Sequence, residues 1–213
     1  MVEGHGVRRV CIRHIKLLLN KKFKCDSPNG RFTQGAKLIN NQPLHRIESI
    51  GKNLFYFFGK KASPIVVHIH FGMSGRFLNA PLNELPEPTP TTRLRLLSNK
   101  KDNIGAMLSA MTCNYGDLSL YEMKKQKLGQ DPLRSDADKN IFFGCTKYGT
   151  KSQQKKVIGD ILMDQSKIAG VGNIYRAEIL YKARVHPLTK VSNLSDAELS
   201  NVWYHSVDCL QRG

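Results

Sequence analysis

The run Leu162-Met-Asp-Gln-Ser-Lys-Ile-Ala-Gly-Val-Gly-Asn-Ile-Tyr-Arg-Ala-Glu-Ile-Leu180 constrains this chain more than any other stretch. It predicts one helix, a Gly-x-Gly turn and a second helix. Gly170 and Gly172 let the backbone turn tightly without a Cβ clash, and Asn173 stands where the second helix begins. A turn of this kind leaves N–H groups unpaired at the positive end of a helix. An anion docks there, and a DNA phosphate is the obvious one. Ile161, Leu162, Ile168, Ile174, Ala177 and Leu180 recur at roughly helical spacing and predict the face on which the two helices pack. The same residues also fit an ordinary helical hairpin whose glycines serve close packing alone, so the rest of the chain must decide.

Charge narrows the choice of partner. Thirty-three Lys and Arg against 17 Asp and Glu give a formal net charge of +16 on 213 residues, which points to a polyanion. With 40% hydrophobic residues the chain can bury a core, and its length suits one large domain or two small ones. The apolar cluster Ile15 to Leu19 is short and flanked by charge, and the N-terminus has no apolar signal core. The expectation is a monomer with no membrane partner and an intracellular location, in the nucleus of a eukaryote and otherwise in cytoplasm or nucleoid. Cys11, Cys25, Cys113, Cys145 and Cys209 are odd in number and form no Cys-x-x-Cys pair, which predicts reduced thiols and neither a zinc site nor another cofactor in this chain.

The pattern along the chain predicts an α+β fold. Val7, Val10, Cys11, Ile15 and Leu18 mark one face of a first helix, with Arg8, Arg9, Arg13 and Lys16 on the others. Phe23 and the runs 46–50, 52–58, 64–70 and 93–97 are short, β-branched or aromatic, and separated by turn residues. They read as an antiparallel β-sandwich or barrel. Leu82 to Thr92, with Pro86, Pro88 and Pro90, predicts a surface loop. Leu128-Gly-Gln-Asp-Pro-Leu-Arg134 marks the exit from the β region. The predicted organisation is a β domain over 1–130, a polar linker over 131–150 and a helical domain over 151–213, in which Ser195 is an N-cap and Glu198 completes a capping box. A cleft lies between the two domains.

The N-terminus carries its own chemistry. Removal of Met1 ahead of the small Val2 leaves a free α-amine, whose pKa of about 8 compares with about 10.4 for lysine. Roughly a tenth of such an amine is neutral and nucleophilic at pH 7, far more than of a lysine. Glu3 places a carboxyl beside it, able to move a proton. The pair suits attack on a sugar C1′, although Met-Val-Glu taken alone is a common start that most proteins put to no use.

Taken together, these residues resemble the formamidopyrimidine-DNA glycosylase and endonuclease VIII family of base-excision repair enzymes, over nearly the whole chain. Leu162 to Glu178 with His186-Pro187 is similar to the family's helix-two-turn-helix signature. Gly51-Lys-Asn-Leu-Phe-Tyr-Phe-Phe58, His70-Phe-Gly-Met-Ser-Gly75 and Leu128-Gly-Gln-Asp-Pro-Leu133 match further family blocks in order. The opening Val-Glu-Gly-x-Gly resembles the endonuclease VIII-like branch that begins with valine. The resemblance implies Val2 as nucleophile, Glu3 as general acid and Lys52 as the strand lysine that contacts phosphate and supports elimination. It implies Asn173 as a phosphate ligand and Met73 as the wedge that fills the gap left by an extruded base. Lys155, Lys156, Gly170 and Gly172 complete the expected DNA contacts.

The chain also departs from the family pattern. Gly6 stands where many members carry a second acid, and Cys113-Asn-Tyr-Gly-Asp-Leu118 replaces an arginine-bearing intercalation loop, leaving Tyr115 to stack in its place. The family continues into a zinc finger or a zincless equivalent, whereas this chain ends at Gln211-Arg-Gly213, so a truncated form is expected, with any zinc ion in the missing segment. The resemblance implies a bifunctional glycosylase and abasic-site lyase acting on damaged DNA, single- or double-stranded. Two other readings stay open: a non-catalytic nucleic-acid-binding protein that uses the same helix-turn grip, and a scaffold that binds polyanions by charge alone.

Overall fold

The computed structural model describes residues 2–213. Helix α1 (Gly4–Leu18) buries Gly4, Val7, Cys11, His14 and Leu18, a closer match to 3.6-residue spacing than the face expected from the sequence. Ile15 is correspondingly exposed. The position it was expected to fill is taken by His14, whose ring is acceptable in the core because both nitrogens are paired, Nδ1 with the Tyr56 hydroxyl and Nε2 with Asn79 Oδ1.

Strand β1 (Lys24–Asp26), helix α2 (Thr33–Ile39) and strands β2 (Leu44–Ile50), β3 (Asn53–Lys60), β4 (Ser63–His70), β5 (Arg76–Ala80), β6 (Leu94–Leu97), β7 (Gly105–Ser109) and β8 (Thr112–Gly116) follow. They form two antiparallel four-stranded sheets, ordered β1-β6-β7-β5 and β2-β3-β4-β8. Strand β3 is buried on both faces, which explains its unbroken run Leu-Phe-Tyr-Phe-Phe. Leu54, Tyr56 and Phe58 point into the sandwich, while Phe55 and Phe57 point away from it, onto Tyr121 of helix α3 (Leu118–Gln126). The proline-bearing segment 82–92 is a loop between β5 and β6, as its composition predicts.

The C-terminal half is helical: α4 (Lys139–Gly144), α5 (Lys151–Gln154), α6 (Ile158–Met163), α7 (Asn173–Ala183) and α8 (Asp196–Arg212). Both capping-box bonds join Ser195 and Glu198 at the start of α8. The stretch 131–150, read from sequence as a polar linker, contributes α4, whose Phe142 is fully buried beside Trp203. The packing face of α7 also differs from the sequence reading. Tyr175, Ile179, Leu180 and Ala183 are buried, whereas Ile174 and Ala177 face solvent. No described helix is long and apolar enough to cross a membrane.

Candidate active site

Three segments remote in sequence meet at three glycines. Gly4, the first residue of α1, donates its N–H to the Gly170 carbonyl at 2.9 Å, and a Cβ there would stand 2.8 Å from Gly170 Cα. Gly51, at φ +55° in the turn between β2 and β3, is packed as closely: its Cβ would lie 2.8 Å from both the Ala169 Cβ and the Gly170 nitrogen. Only backbones without side chains can approach to this degree. The junction therefore gathers the chain start at Val2 and Glu3, the turn that carries Lys52, and the N-terminus of α7.

Glu3 is 1% exposed. Its carboxylate reaches across the junction and accepts the N–H of Gly172 at 2.9 Å and of Ile174 at 3.0 Å, so the positive end of α7 holds it. A Cβ on Gly172 would lie 2.4 Å from Glu3 Cδ, so the Glu3 carboxylate keeps its place only while residue 172 has no side chain. The expectation that Gly170 and Gly172 offer free N–H groups to a phosphate does not hold. Gly170 donates to Gln165 Oε1 at 2.9 Å, and Gly172 to Glu3. The anion seated on this helix is the chain's own carboxylate, whose place 169 residues upstream hides it from any local reading.

Lys52 is half-buried, and desolvation lowers its pKa from the ordinary lysine value, opposed by the negative charge of Glu3. His70 stands on the strand end opposite Asn53. Burial, and then the positive charges of Lys52 and Lys124, lower its pKa. The turn that presents Lys52 is anchored from below by Asp131, a buried carboxylate that accepts the N–H of Gly51 at 2.7 Å and of Leu133 at 2.9 Å. Burial pushes its pKa up, and the two backbone donors oppose that shift.

The remaining predicted residues are spread more widely. Val2 is half-buried and packs against the sandwich core. Asn173 is exposed at the first turn of α7, and its Oδ1 accepts from Arg176 at 2.6 Å, which leaves the amide NH2 as a donor. Lys155 and Lys156 are exposed, with Lys156 Nζ 3.9 Å from Asp164. Met73 is 74% exposed in the turn between β4 and β5. Tyr115 does not sit in a loop: it lies within strand β8 opposite Val67, edge-on to Phe32, and is not brought to the Met73 turn. Among the described residues, no three His, Cys, Asp or Glu side chains are grouped to hold a metal ion.

This architecture has relatives. Residues 128–213 match the formamidopyrimidine-DNA glycosylase H2TH domain. The full chain is 33% identical, over 217 aligned residues, to Endonuclease 8 1 of Mycobacterium tuberculosis, covering 77% of that protein. The chain belongs to the formamidopyrimidine-DNA glycosylase and endonuclease VIII family. It is also 28% identical over 170 residues to human Endonuclease 8-like 3, covering 78% of this chain and 26% of the human protein. The fold is that of Lactococcus lactis Fpg (MutM), solved in complex with DNA containing N7-benzyl-Fapy-dG: TM-score 0.81 at 21% identity, over 99% of this chain and 78% of that one.

Within this family member, the sequence reading missed Asp131, Gln165, Arg176 and His70. Asp131 had a visible signal, since it lies in the Leu-Gly-Gln-Asp-Pro-Leu block. Gln165 had none, because its side chain's backbone partners, the Gly170 N–H and the carbonyls of Met163 and Val171, are set by the path of the turn.

Proposed function

We propose that the chain excises oxidised bases from DNA and cuts the strand at the resulting abasic site. Once Met1 is removed, the neutral α-amine of Val2 attacks C1′ of the damaged nucleotide. A C–N bond forms as the glycosidic bond breaks, and the base departs with that bond's electron pair. The proton shed by the attacking nitrogen passes to the Glu3 carboxylate, which delivers it to O4′ as the deoxyribose ring opens. The resulting Schiff base at C1′ withdraws electrons, so that a proton is lost from C2′ and the 3′ phosphate leaves. Water then hydrolyses the imine and frees Val2.

The observation that carries this reading is the burial of the Glu3 carboxylate next to the chain start, gripped by two backbone donors of α7. A carboxylate so fixed is oriented before substrate arrives. Lys52, Lys155, Lys156 and Asn173 contact the phosphates, and the net charge of +16 draws the polyanion in. The test is cleavage of an oligonucleotide carrying an oxidised pyrimidine, beside one carrying a preformed abasic site. With Glu3→Gln, base release is expected to fall by two to three orders of magnitude, as for loss of a general acid, with a smaller loss on the preformed abasic site. Unaltered base release by Glu3→Gln contradicts the proposal.

A further inference from the structure

The turn that carries Lys52 is Gly51-Lys52, set between the paired residues Ile50 and Asn53. Asp131 holds it on one side through the Gly51 N–H. On the other side Asn53 folds its side chain back over the turn and donates its amide N–H to the Ile50 carbonyl at 3.3 Å. That bond fixes which way the amide faces. Its Oδ1 is therefore the atom turned to β4, where it accepts from His68 Nε2 at 2.8 Å.

His68 is a residue that neither the sequence motifs nor the chemistry above employs. It is 2% exposed, and its ring stacks on Phe55 with centroids 5.0 Å apart and planes at 27°. Its other nitrogen, Nδ1, is buried with no partner among the described residues. Burial, and then the positive charges of Lys124 and His70, lower its pKa to about 4. At neutral pH the ring thus carries one N–H, and because Asn53 presents an acceptor, that hydrogen is on Nε2. An apolar side chain stacked on Phe55 would fill the same space without burying an unpaired nitrogen. What the imidazole adds at this place is a donor for Asn53.

We infer that His68 is a positioning residue for the proposed reaction: acting through Asn53, it completes with Asp131 a two-sided clamp on the Gly51-Lys52 turn and so aims the Lys52 ammonium at the DNA phosphate. A lysine stem is flexible, so the direction of its charge depends on how firmly the backbone beneath it is held. The inference rests on the base-excision reading, which gives Lys52 its phosphate.

The test is a double-variant cycle on the processed full chain, read as affinity for a duplex carrying a tetrahydrofuran abasic analogue. Lys52→Ala is expected to weaken binding about tenfold and to lower the slope of log affinity against log salt by about 0.9, as for one lost phosphate contact. His68→Leu keeps the apolar packing and removes the donor. It is expected to weaken binding about fivefold with part of the same change in slope, and Asn53→Ala to match it. In the Lys52→Ala background His68→Leu should cost less than about 1.5-fold more, whereas its loss should multiply in full with that of Lys155→Ala. His68→Gln, whose amide can donate to Asn53, should return affinity to within about twofold of wild type. Thermal midpoints check that each variant is folded. Wild-type affinity in His68→Leu, a loss that multiplies in full with that of Lys52→Ala, or no rescue by glutamine would each overturn the assignment. The analogue cannot form a Schiff base, so the cycle reads the clamp apart from the Val2 amine, whose chemistry covalent trapping tests separately.

Discussion

Glu3 and Gly172 define each other. The carboxylate fills the space where a side chain at 172 would stand, and the N–H of 172 is one of the two donors that fix it. Because the clash falls on the far end of a side chain, Gly172→Ala is expected to displace the Glu3 carboxylate and leave the backbone in place. Base release should then fall by about two orders of magnitude, the scale of a misplaced catalytic group, while the thermal midpoint moves by only a few degrees. Kinetics and thermal melts on the same preparation check this, and wild-type excision by the alanine variant would contradict the role given to the Glu3 contact. Asn173 shows the same dependence on a neighbour. Its exposure was legible from its place at the helix start, but its orientation comes from Arg176, which nothing in the spacing singled out.

The elements were legible where the chain is periodic and obscure where partners are distant. The runs at 46–50, 52–58, 64–70 and 93–97 fall on β2, β3, β4 and β6, and the capping box at Ser195 forms as read. Strands β5, β7 and β8 escaped notice because they are short and carry too little alternation to stand out. Placing Tyr115 in a loop followed from the same blindness: the edge pairing of β8 with β4 is set by tertiary contact and by no local signal. Helix α4 was lost in a polar surrounding whose one decisive residue is Phe142. At this scale, too, His14 ties α1 to both sheets through Tyr56 of β3 and Asn79 of β5. Burial lowers its pKa from 6.5 to about 4. The unfolded chain therefore binds a proton between those values that the folded chain refuses, so the stability is fully present above pH 6.5 and is lost as the pH falls toward 4, by about 3 kcal/mol from this group. Urea midpoints from pH 7 to pH 4 should show this loss. His14→Gln should flatten part of the curve, whereas an identical pH dependence in that variant would assign the acid lability elsewhere.

As a whole, the sandwich and helical halves of the molecule meet at glycine contacts, and the joint is where the proposed chemistry gathers. Gly4, Gly51 and Gly170 pack backbone on backbone, Asp131 holds the Lys52 turn from the helical side, and Glu3 spans the two halves. Neither half contains the site alone. The sandwich half brings Val2 and Lys52, and the helical half brings the donors that fix the Glu3 carboxylate. Everything in this arrangement turns on the amine of Val2, so the most direct measurement is borohydride trapping of the Met1-processed protein on an abasic oligonucleotide, followed by mapping of the modified peptide. A covalent adduct on the Val2 nitrogen, abolished when that amine is blocked, is the expected result. Tight binding to the same oligonucleotide with no adduct, or an adduct on a lysine in place of Val2, would contradict it.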